Sequence, residues 1–315
     1  MPPLPRTLHR LARTARTYAT STPGAPAFQV FNNHSKLLQK TRAARSPQAS
    51  HTDYLRTHIA TDLLTRLSLI TRPFPHILDL GSGACHVSRV LSEHPELRAK
   101  VTKVTAVDTC PAQLHRDESG EWEGVVPTER VEIAPDAPLP FEDGTFDAVV
   151  SGGSLHWVND LPGILREAAR VLKPDAPFVA GMFGGDTLFE LRTSLQLAEM
   201  ERYGGVSPRV SPMVEVKDMG GMLDKAGFGL VTVDVDDVIV GYPGMVELLE
   251  DLRGMGEGNA VLGRKEGQIS RGMLMAAEGI YKELHCEEGE EGVPATWRVV
   301  YMVSGCIREL VKDGR

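Results

Sequence analysis

Residues 76–83 read HILDLGSG, a short apolar run that ends in two glycines separated by one serine. The run predicts a buried β-strand, and the glycines predict a tight turn that leads into a helix. A glycine has no Cβ, so a turn of this kind lets the backbone approach a ligand closely. The stretch therefore predicts the first βα unit of a fold that binds a ligand at the ends of its strands.

Strands and helices are predicted to alternate along the rest of the chain. Before residue 76, leucines and isoleucines at helical spacing predict a helix with Thr52 as its N-cap, ended by Pro73. Further strands are predicted at 103–108, 131–133, 146–150, 177–182, 231–236 and 297–304. Further helices are predicted after the glycine turn as far as Pro95, and at 160–172, 186–202, 215–226, 243–255 and 272–285. This order predicts an α/β, doubly wound, mostly parallel sheet of seven strands with a helical cap near the C-terminus.

An aspartate is associated with the end of each of the first three strands, at Asp79, Asp108 and Asp136. The carboxyl ends of parallel strands meet at one edge of a sheet, so these carboxylates are expected to converge, although each alone is also a common turn or cap residue. An acid beside the first glycine would repel a diphosphate, and His86 stands where a dinucleotide motif needs glycine or alanine. A cationic ligand such as S-adenosylmethionine fits better. Asp108 would accept from its ribose hydroxyls and Asp136 from its adenine amino group.

A fourth loop, SGGSLHW at 151–157, follows the fourth strand. We expect Gly81, Gly83 and the backbone around Ser154 to contact the methionine part of the cofactor. His156, Trp157 and Asp160 would border the acceptor, although a structural histidine and a packing tryptophan are alternatives for the first two.

The first 52 residues contain no Asp or Glu, and arginines at 6, 10, 13 and 16 would share one face of a helix. This composition predicts a mitochondrial presequence, with a disordered basic tail as the alternative. We therefore assign residues 1–27 to a presequence and disordered linker. The folded domain is predicted at 28–304, including a helical cap at about 238–295, with a tail at 305–315.

The composition restricts the class of protein. The formal net charge of −8 argues against broad nucleic-acid binding, and no apolar run approaches the roughly 18 residues of a membrane span. The four cysteines, at 85, 110, 286 and 306, form no C-x-x-C pair, so neither a zinc site nor a disulfide framework is predicted.

The motif LDLGSG at 78–83, with LPF at 139–141, FD at 146–147 and LKP at 172–174, resembles class I S-adenosylmethionine-dependent methyltransferases, a Rossmann-like fold. Longer segments are similar to the mitochondrial complex I assembly factor 5 family, and the similarity covers about 28–304. These segments are SLHWVNDLP at 154–162, MFGGDTLFELR at 182–192, SLQLAE at 194–199 and YPGMVELLEDLRGMG at 242–256.

The resemblance implies a protein of the mitochondrial matrix that acts in assembly of respiratory complex I, the NADH:ubiquinone oxidoreductase. Its implied reaction is hydroxylation of an arginine in the iron-sulfur subunit beside the quinone site. Other assembly factors would be further partners, and a peripheral position on the matrix face of the inner membrane is compatible. Two alternatives stay open: an S-adenosylmethionine-dependent methyltransferase acting on a protein or on malonyl-acyl carrier protein, and a non-catalytic assembly chaperone.

Two positions depart from the family's pattern. Cys85 stands where a third glycine is usual, and we expect its side chain to narrow the methionine subsite. Pro135 stands where the acid of the third strand was expected, one residue before Asp136.

No metal site is predicted, because the two H-x-D tripeptides at 51–53 and 115–117 are of a kind that arises by chance. For a substrate arginine, we hypothesise that some acids of the cap and of the loop after the fifth strand form a pocket for the guanidinium, with a solvated charged face as the alternative. These acids are Asp186, Glu190, Glu250, Asp251 and Glu257.

Overall fold

A computed structural model describes residues 29–118, 120, 122, 124–264, 267, 269–286 and 292–306. The predicted presequence and linker at 1–27, and residues 307–315 of the tail predicted at 305–315, lie outside the described residues. Among the described residues, no helix has the length and apolar character needed to cross a bilayer.

The described residues form one sheet of seven strands in the order β3-β2-β1-β4-β5-β7-β6. The strands are β1 His76–Leu80, β2 Lys103–Asp108, β3 Thr128–Glu132, β4 Ala148–Gly152, β5 Pro177–Phe183, β6 Phe228–Tyr242 and β7 Val293–Cys306. The first five pair in parallel, and β7 pairs antiparallel with both β5 and β6. The predicted α/β, mostly parallel sheet is therefore confirmed. Its strand order reverses between β1 and β4, where a doubly wound sheet opens a crevice for a ligand.

Ten α-helices accompany the sheet in the described part of the chain. They are α1 Asn33–Ala44, α2 Tyr54–Ser68, α3 His86–Ser92, α4 Pro95–Arg98, α5 Pro111–Leu114, α6 Leu161–Val171, α7 Phe189–Tyr203, α8 Val216–Ala226, α9 Met245–Met255 and α10 Arg271–His285. Thr52 is not the N-cap of α2 as predicted. Residues Ala49–Thr52 form a 3-10 turn, so Asp53 is the capping position.

The long strands β6 and β7 set the two ends of the helical cap near the C-terminus. Because β6 continues to Tyr242 and β7 begins at Val293, α9 and α10 lie between these residues, inside the range of 238–295 predicted for the cap.

The core lies on both faces of the sheet. Leu63 and Leu67 of α2 are fully buried on one face, together with apolar residues of α7, α9 and α10. Leu165 of α6 and Leu223 of α8 are fully buried on the other face. Each such leucine contributes roughly 1.5–3 kcal/mol by leaving water. This packing fixes the strand ends that carry the site.

Candidate functional site

A cavity of about 590 Å³ opens at the carboxyl ends of β1, β2 and β4, a volume typical of a small-molecule cleft. Six of the nine predicted site residues line it: Gly81, Asp108, Asp136, Ser154, Trp157 and Asp160. The other three, Asp79, Gly83 and His156, are not among the residues that line it.

Gly81 joins the loops that follow β1 and β4. Its φ of +71° lies in the left-handed region, and a Cβ added to it would lie 2.0 Å from Ser154 Oγ. Ser154 Oγ in turn donates to the carbonyl of Leu80 at 3.2 Å. Only glycine therefore allows the two loops to approach this closely.

Asp108 is buried at the floor of the cavity, where its carboxylate fixes the glycine turn. Oδ2 accepts from the Gly83 N–H at 3.0 Å, and Oδ1 accepts from the Cys110 N–H at 2.8 Å. Lys40 of α1 places its Nζ 3.5 Å from Oδ1. A carboxylate has about four acceptor positions, so roughly one remains for a ligand such as a ribose hydroxyl.

Asp79 is a fully buried carboxyl group without a partner. Neither of its oxygens accepts a hydrogen bond from any described residue. Burial, with a smaller contribution from the charge of Asp108, raises the pKa of Asp79 to about 8. A buried acceptor left without a donor is costly, so the site favours a ligand that brings a cation with N–H groups. This observation fits the ammonium of S-adenosylmethionine.

Asp136 and Asp160 both line the cavity. Asp136 is exposed, adopts a φ of +58°, and accepts from Asn33 Nδ2 at 2.7 Å. Asp160 is the N-cap of α6, since its Oδ1 accepts from the Gly163 N–H at 2.9 Å. The cap explains why an acid stands at position 160, and the roles in adenine and acceptor binding stay predictions.

A buried cluster of charged and aromatic side chains forms the wall beside Trp157. Glu257 Oε1 accepts from Arg56 Nη2 at 2.5 Å. Its Oε2 accepts from Trp157 Nε1 at 2.6 Å and lies 3.3 Å from His156 Nε2. Burial alone would raise the pKa of Glu257, but the hydrogen bond from His156 and the positive charges of Arg56 and Lys36 outweigh it and hold the pKa far below its ordinary value. Glu257 is therefore an anion that orients both predicted acceptor residues.

Lys36 fixes α1 against this cluster. Its Nζ lies 3.1 Å from the centroid of the Trp157 ring and donates to the carbonyls of Gly256 at 2.9 Å and Gly258 at 3.0 Å. Burial lowers the pKa of Lys36 to about 7. Sequence reasoning did not identify Lys36 as a site residue. The one local pattern that could have indicated it is its spacing of four from Lys40, which places both lysines on one face of α1.

A second cavity, of about 240 Å³, lies on the other side of Trp157. Its wall is mostly apolar, with Phe183, Leu191 and Trp297 among its residues, and it includes Glu257. Trp157 lines both cavities, so the smaller one is a candidate acceptor site beside the larger cofactor cleft.

The five acids of the hypothesised guanidinium pocket do not come together. Asp186 forms an ion pair with Arg298, and Glu190 is buried and accepts from Thr296. A separate cavity of about 680 Å³ is lined by Glu250 and Asp251. Among these acids, Glu257 is the one that lines the 240 Å³ cavity, and it is already bonded to Arg56.

Cys85 is not among the residues that line the 590 Å³ cavity, and the expected narrowing of the methionine subsite stays a prediction. Its side chain is buried in a small cluster with Ala106 and Leu114, and burial raises the pKa of its thiol to about 12. Its φ of +58° explains why glycine suits this position. The substitution therefore affects the strain of the turn rather than the volume of the 590 Å³ cavity.

The carboxylates of the two H-x-D tripeptides are engaged by an arginine. Asp53 Oδ2 and Asp117 Oδ2 accept from Arg116 Nη2 at 2.6 and 2.7 Å. The structure does bring three side chains of metal-ligand type together elsewhere on the described surface, namely His58, Asp62 and Asp236. Asp62 in that group already accepts from Tyr301 at 2.8 Å, and we assign it no function.

Comparisons with known proteins agree with this geometry. A model described as "Methyltransferase domain" matches residues 78–180, which contain β1 and β4. A Homo sapiens protein named "Arginine-hydroxylase NDUFAF5, mitochondrial" is 42% identical over 296 residues, covering 93% of this chain and 82% of its own. Its Danio rerio counterpart is 40% identical over 298 residues, covering 95% of this chain and 88% of its own. More distantly, a malonyl-[acyl-carrier protein] O-methyltransferase of Halorhodospira halophila is 33% identical over 248 residues, covering 78% of this chain and 79% of its own.

Solved structures share the fold at low identity. YcgJ from Bacillus subtilis superposes with a TM-score of 0.53 at 15% identity, over 79% of this chain and 99% of its own. A putative methyltransferase from Bacillus halodurans gives a TM-score of 0.54 at 18% identity, over 78% of this chain and 98% of its own. The architecture is that of a class I methyltransferase.

Proposed function

The chain belongs to the mitochondrial arginine-hydroxylase family, and we propose that it hydroxylates a protein arginine during assembly of respiratory complex I. The observation that carries the proposal is the extent of the match, because 93% of the chain aligns at 42% identity, which must include most of both the cofactor cleft and the cap. We propose the iron-sulfur subunit beside the quinone site as the substrate, and the mitochondrial matrix as the compartment.

We propose that the cleft binds S-adenosylmethionine. The unpartnered carboxyl group of Asp79 would receive the ammonium, Asp108 a ribose hydroxyl and Asp136 the adenine amino group. Gly81 and Gly83 would allow the backbone to approach the ligand. When bound, this cofactor supplies a methyl group on a positively charged sulfur, and it does not oxidise the arginine. Insertion of one oxygen atom into a C–H bond would additionally need O2 and a two-electron reductant, with the second oxygen atom leaving as water.

The residues between the two cavities would position the acceptor. Glu257 holds the rings of His156 and Trp157 through hydrogen bonds, and Lys36 packs on the face of the Trp157 ring. Burial lowers the pKa of His156, and the hydrogen bond and the charge of Glu257 oppose this shift without reversing it. Because these groups are nearly dry, their orientation is fixed before a substrate enters.

Mass spectrometry of the substrate subunit tests the reaction. The subunit is purified from a strain that lacks this gene, and from the same strain carrying the intact chain or its Glu257→Gln variant. Hydroxylation predicts that deletion removes the mass of one oxygen atom from one arginine, that the intact chain restores it, and that the variant restores it poorly. An arginine with the same mass with and without the gene would refute the proposal.

A methyltransferase acting on an anionic acceptor is the second candidate. Arg42 and Arg253 line the 240 Å³ cavity, and neither forms an ion pair with any described residue. Such a wall favours a carboxylate over a guanidinium. A change equal to one methylene group in the same spectra, or methylation of malonyl-acyl carrier protein by the purified chain, would support this candidate. If calorimetry with S-adenosylmethionine showed no binding, a non-catalytic assembly chaperone would be the remaining interpretation.

A further inference from the structure

The 240 Å³ cavity beside Trp157 has the wrong charge for the substrate arginine itself. Arg42 and Arg253 line it, and neither side chain forms an ion pair or a hydrogen bond with any described residue. Glu257 is the one acid among the described residues of its wall, and it already accepts from Arg56. A guanidinium in this cavity would meet positive charge and no free carboxylate. The cavity therefore suits a different part of the substrate.

The body of the cavity is apolar and small. Phe183, Leu191 and Leu195 line it and are buried. Its volume of about 240 Å³ is below the roughly 300–1,000 Å³ of clefts that hold a whole small-molecule ligand. One large apolar side chain fits a space of this size. In many protein interfaces, a few such side chains seated in pockets supply most of the binding energy. The cavity therefore favours an apolar anchor residue.

Gln39 adds a buried acceptor to this wall that a peptide can satisfy. Its Nε2 donates to the carbonyl of Asn259 at 3.0 Å, which fixes the orientation of the amide. Its Oε1 is buried and accepts from no described residue, which is a costly arrangement. An ionised fatty acid has no N–H to donate, whereas every peptide residue except proline has one on its backbone. The wall therefore favours a peptide over a free apolar acid.

The cavity adjoins two other openings of the molecule. Arg42 and Arg253 also line the cavity of about 680 Å³ that contains Asp251. Trp157 is shared with the cofactor cleft. A peptide with one side chain in the smaller cavity would therefore lie beside the cofactor cleft at Trp157, and its chain could continue over the surface at the two arginines. Arginines placed in this way are suited to pair with a carboxylate of the peptide.

We propose that the 240 Å³ cavity binds a large apolar side chain of the protein substrate, and that Arg42 and Arg253 bind an acidic residue next to it in the same segment. This inference rests on the proposed function, because its ligand is the protein that carries the arginine. The anchor would hold the segment while the arginine reaches the cofactor cleft at Trp157. The enzyme would thus select its substrate by the residues near the arginine.

Fluorescence anisotropy with overlapping peptides from the iron-sulfur subunit tests the inference on the full chain. Peptides that bind should contain a large apolar residue next to Asp or Glu, and alanine at either position should weaken binding. Val210→Phe fills part of the cavity from a loop and should weaken binding of the tightest peptide by about 10- to 100-fold. Val206→Phe is the matched control at an exposed position outside the cavity, and it should change the affinity by less than about twofold.

Charge reversal tests the arginines separately from the apolar cavity. Arg42→Glu combined with Arg253→Glu should weaken the same peptide by about tenfold at low salt, and by less at high salt because exposed charges are screened. Arg45→Glu, at the end of the same helix but outside the cavity, should change the affinity by less than about twofold. Thermal unfolding of each variant shows whether it is folded.

The possible outcomes separate this inference from the proposed function. If folded Val210→Phe and the double arginine variant bound the peptide as the intact chain does, the anchor would be overturned and the proposed substrate would stand. If hexanoate bound the intact chain more tightly than every peptide, the cavity would hold a small acid, which would also overturn the inference. If neither the peptides nor the whole subunit bound the intact chain, the proposed substrate would be overturned as well.

Discussion

Asp79 is the group whose ionisation should change most when the cofactor binds. Its pKa is raised from 3.8 to about 8 because it is buried without a donor. At pH 6.5, a carboxyl group with that pKa is protonated in about 97% of molecules. An α-amino group with a pKa near 7.7–8.0 is an ammonium at this pH. Binding would therefore place a cation against a neutral acid and favour loss of the proton.

The size of the effect follows from the pKa. Binding at pH 6.5 should release close to one proton per chain. Removing a proton 1.5 pH units below the pKa costs about 2 kcal/mol, so the affinity should rise about tenfold between pH 6 and pH 7.

The raised pKa of Asp79 also makes the stability of the fold depend on pH. An acid whose pKa is raised in the folded state lowers stability as pH rises from about 4 to about 8, because the unfolded chain ionises first. At pH 7 the loss is at most about 4 kcal/mol.

Calorimetry at pH 6.5 in two buffers of different ionisation enthalpy measures the released proton. Asp79→Asn is the matched control, since an amide of the same shape does not titrate, and it should bind weakly with little release. Any proton that the Asp79→Asn variant still releases on binding would come from Lys36, which lines the same cavity and has a pKa lowered to about 7. Urea denaturation at pH 7 should show the free variant to be more stable than the intact chain. Firm binding by the intact chain with no Asp79-dependent proton release would refute the reasoning.

Three further predictions concern the walls of the cleft. Gly81→Ala should destabilise the fold by at least about 1–2 kcal/mol, because φ is positive there and Ser154 is too close, and Ser154→Gly should restore part of the loss in thermal unfolding. Glu257→Gln should cost about 3–5 kcal/mol by leaving Arg56 without its partner, and additive effects in a double-mutant cycle with Arg56→Gln would contradict the pairing. The lowered pKa of Lys36 means that the folded chain binds fewer protons than the unfolded chain above pH 7. Because Asp79 opposes this trend up to about pH 8, stability should rise with pH between about 8 and 10 by up to about 1.4 kcal/mol per unit, and Lys36→Met should flatten this rise in urea denaturation.

The sequence predicted the centre of the sheet better than its edge. The strand at 76–80 was predicted with its observed bounds because β1 is covered on both faces, which favours a short continuous apolar run. Strand β6 extends over 228–242, whereas the sequence indicated only 231–236. Polar residues such as Asp234 and Asp236 alternate with valines along this edge strand. Its length is set by antiparallel pairing with β7, and no local pattern reports that pairing.

The same distinction applies to the site. Carboxylates after successive strands could be predicted to converge, because parallel topology alone brings Asp79 and Asp108 to one edge. The contact of Arg56 with Glu257 joins residues 201 positions apart, and it depends on how α2 and the segment after α9 pack. Neither residue lies in a local pattern that signals a partner. Glu257 was singled out as an acid for a substrate guanidinium, yet the structure gives it a guanidinium from its own chain.

Asp79 is unfavourable in the free protein and complementary to a cationic ligand. It is a fully buried acid, protonated in most molecules below pH 8, and its oxygens accept no hydrogen bond from any described residue. An apolar side chain at this position would remove that cost, so folding alone does not explain why an acid stands before the glycine turn. The ammonium of S-adenosylmethionine would form an ion pair with the ionised acid. Burial of this group without a partner lowers the free energy of unfolding of the free chain, and a ligand that supplies the partner offsets this loss. A site of this kind is therefore expected to bind its ligand at the expense of stability in the free protein.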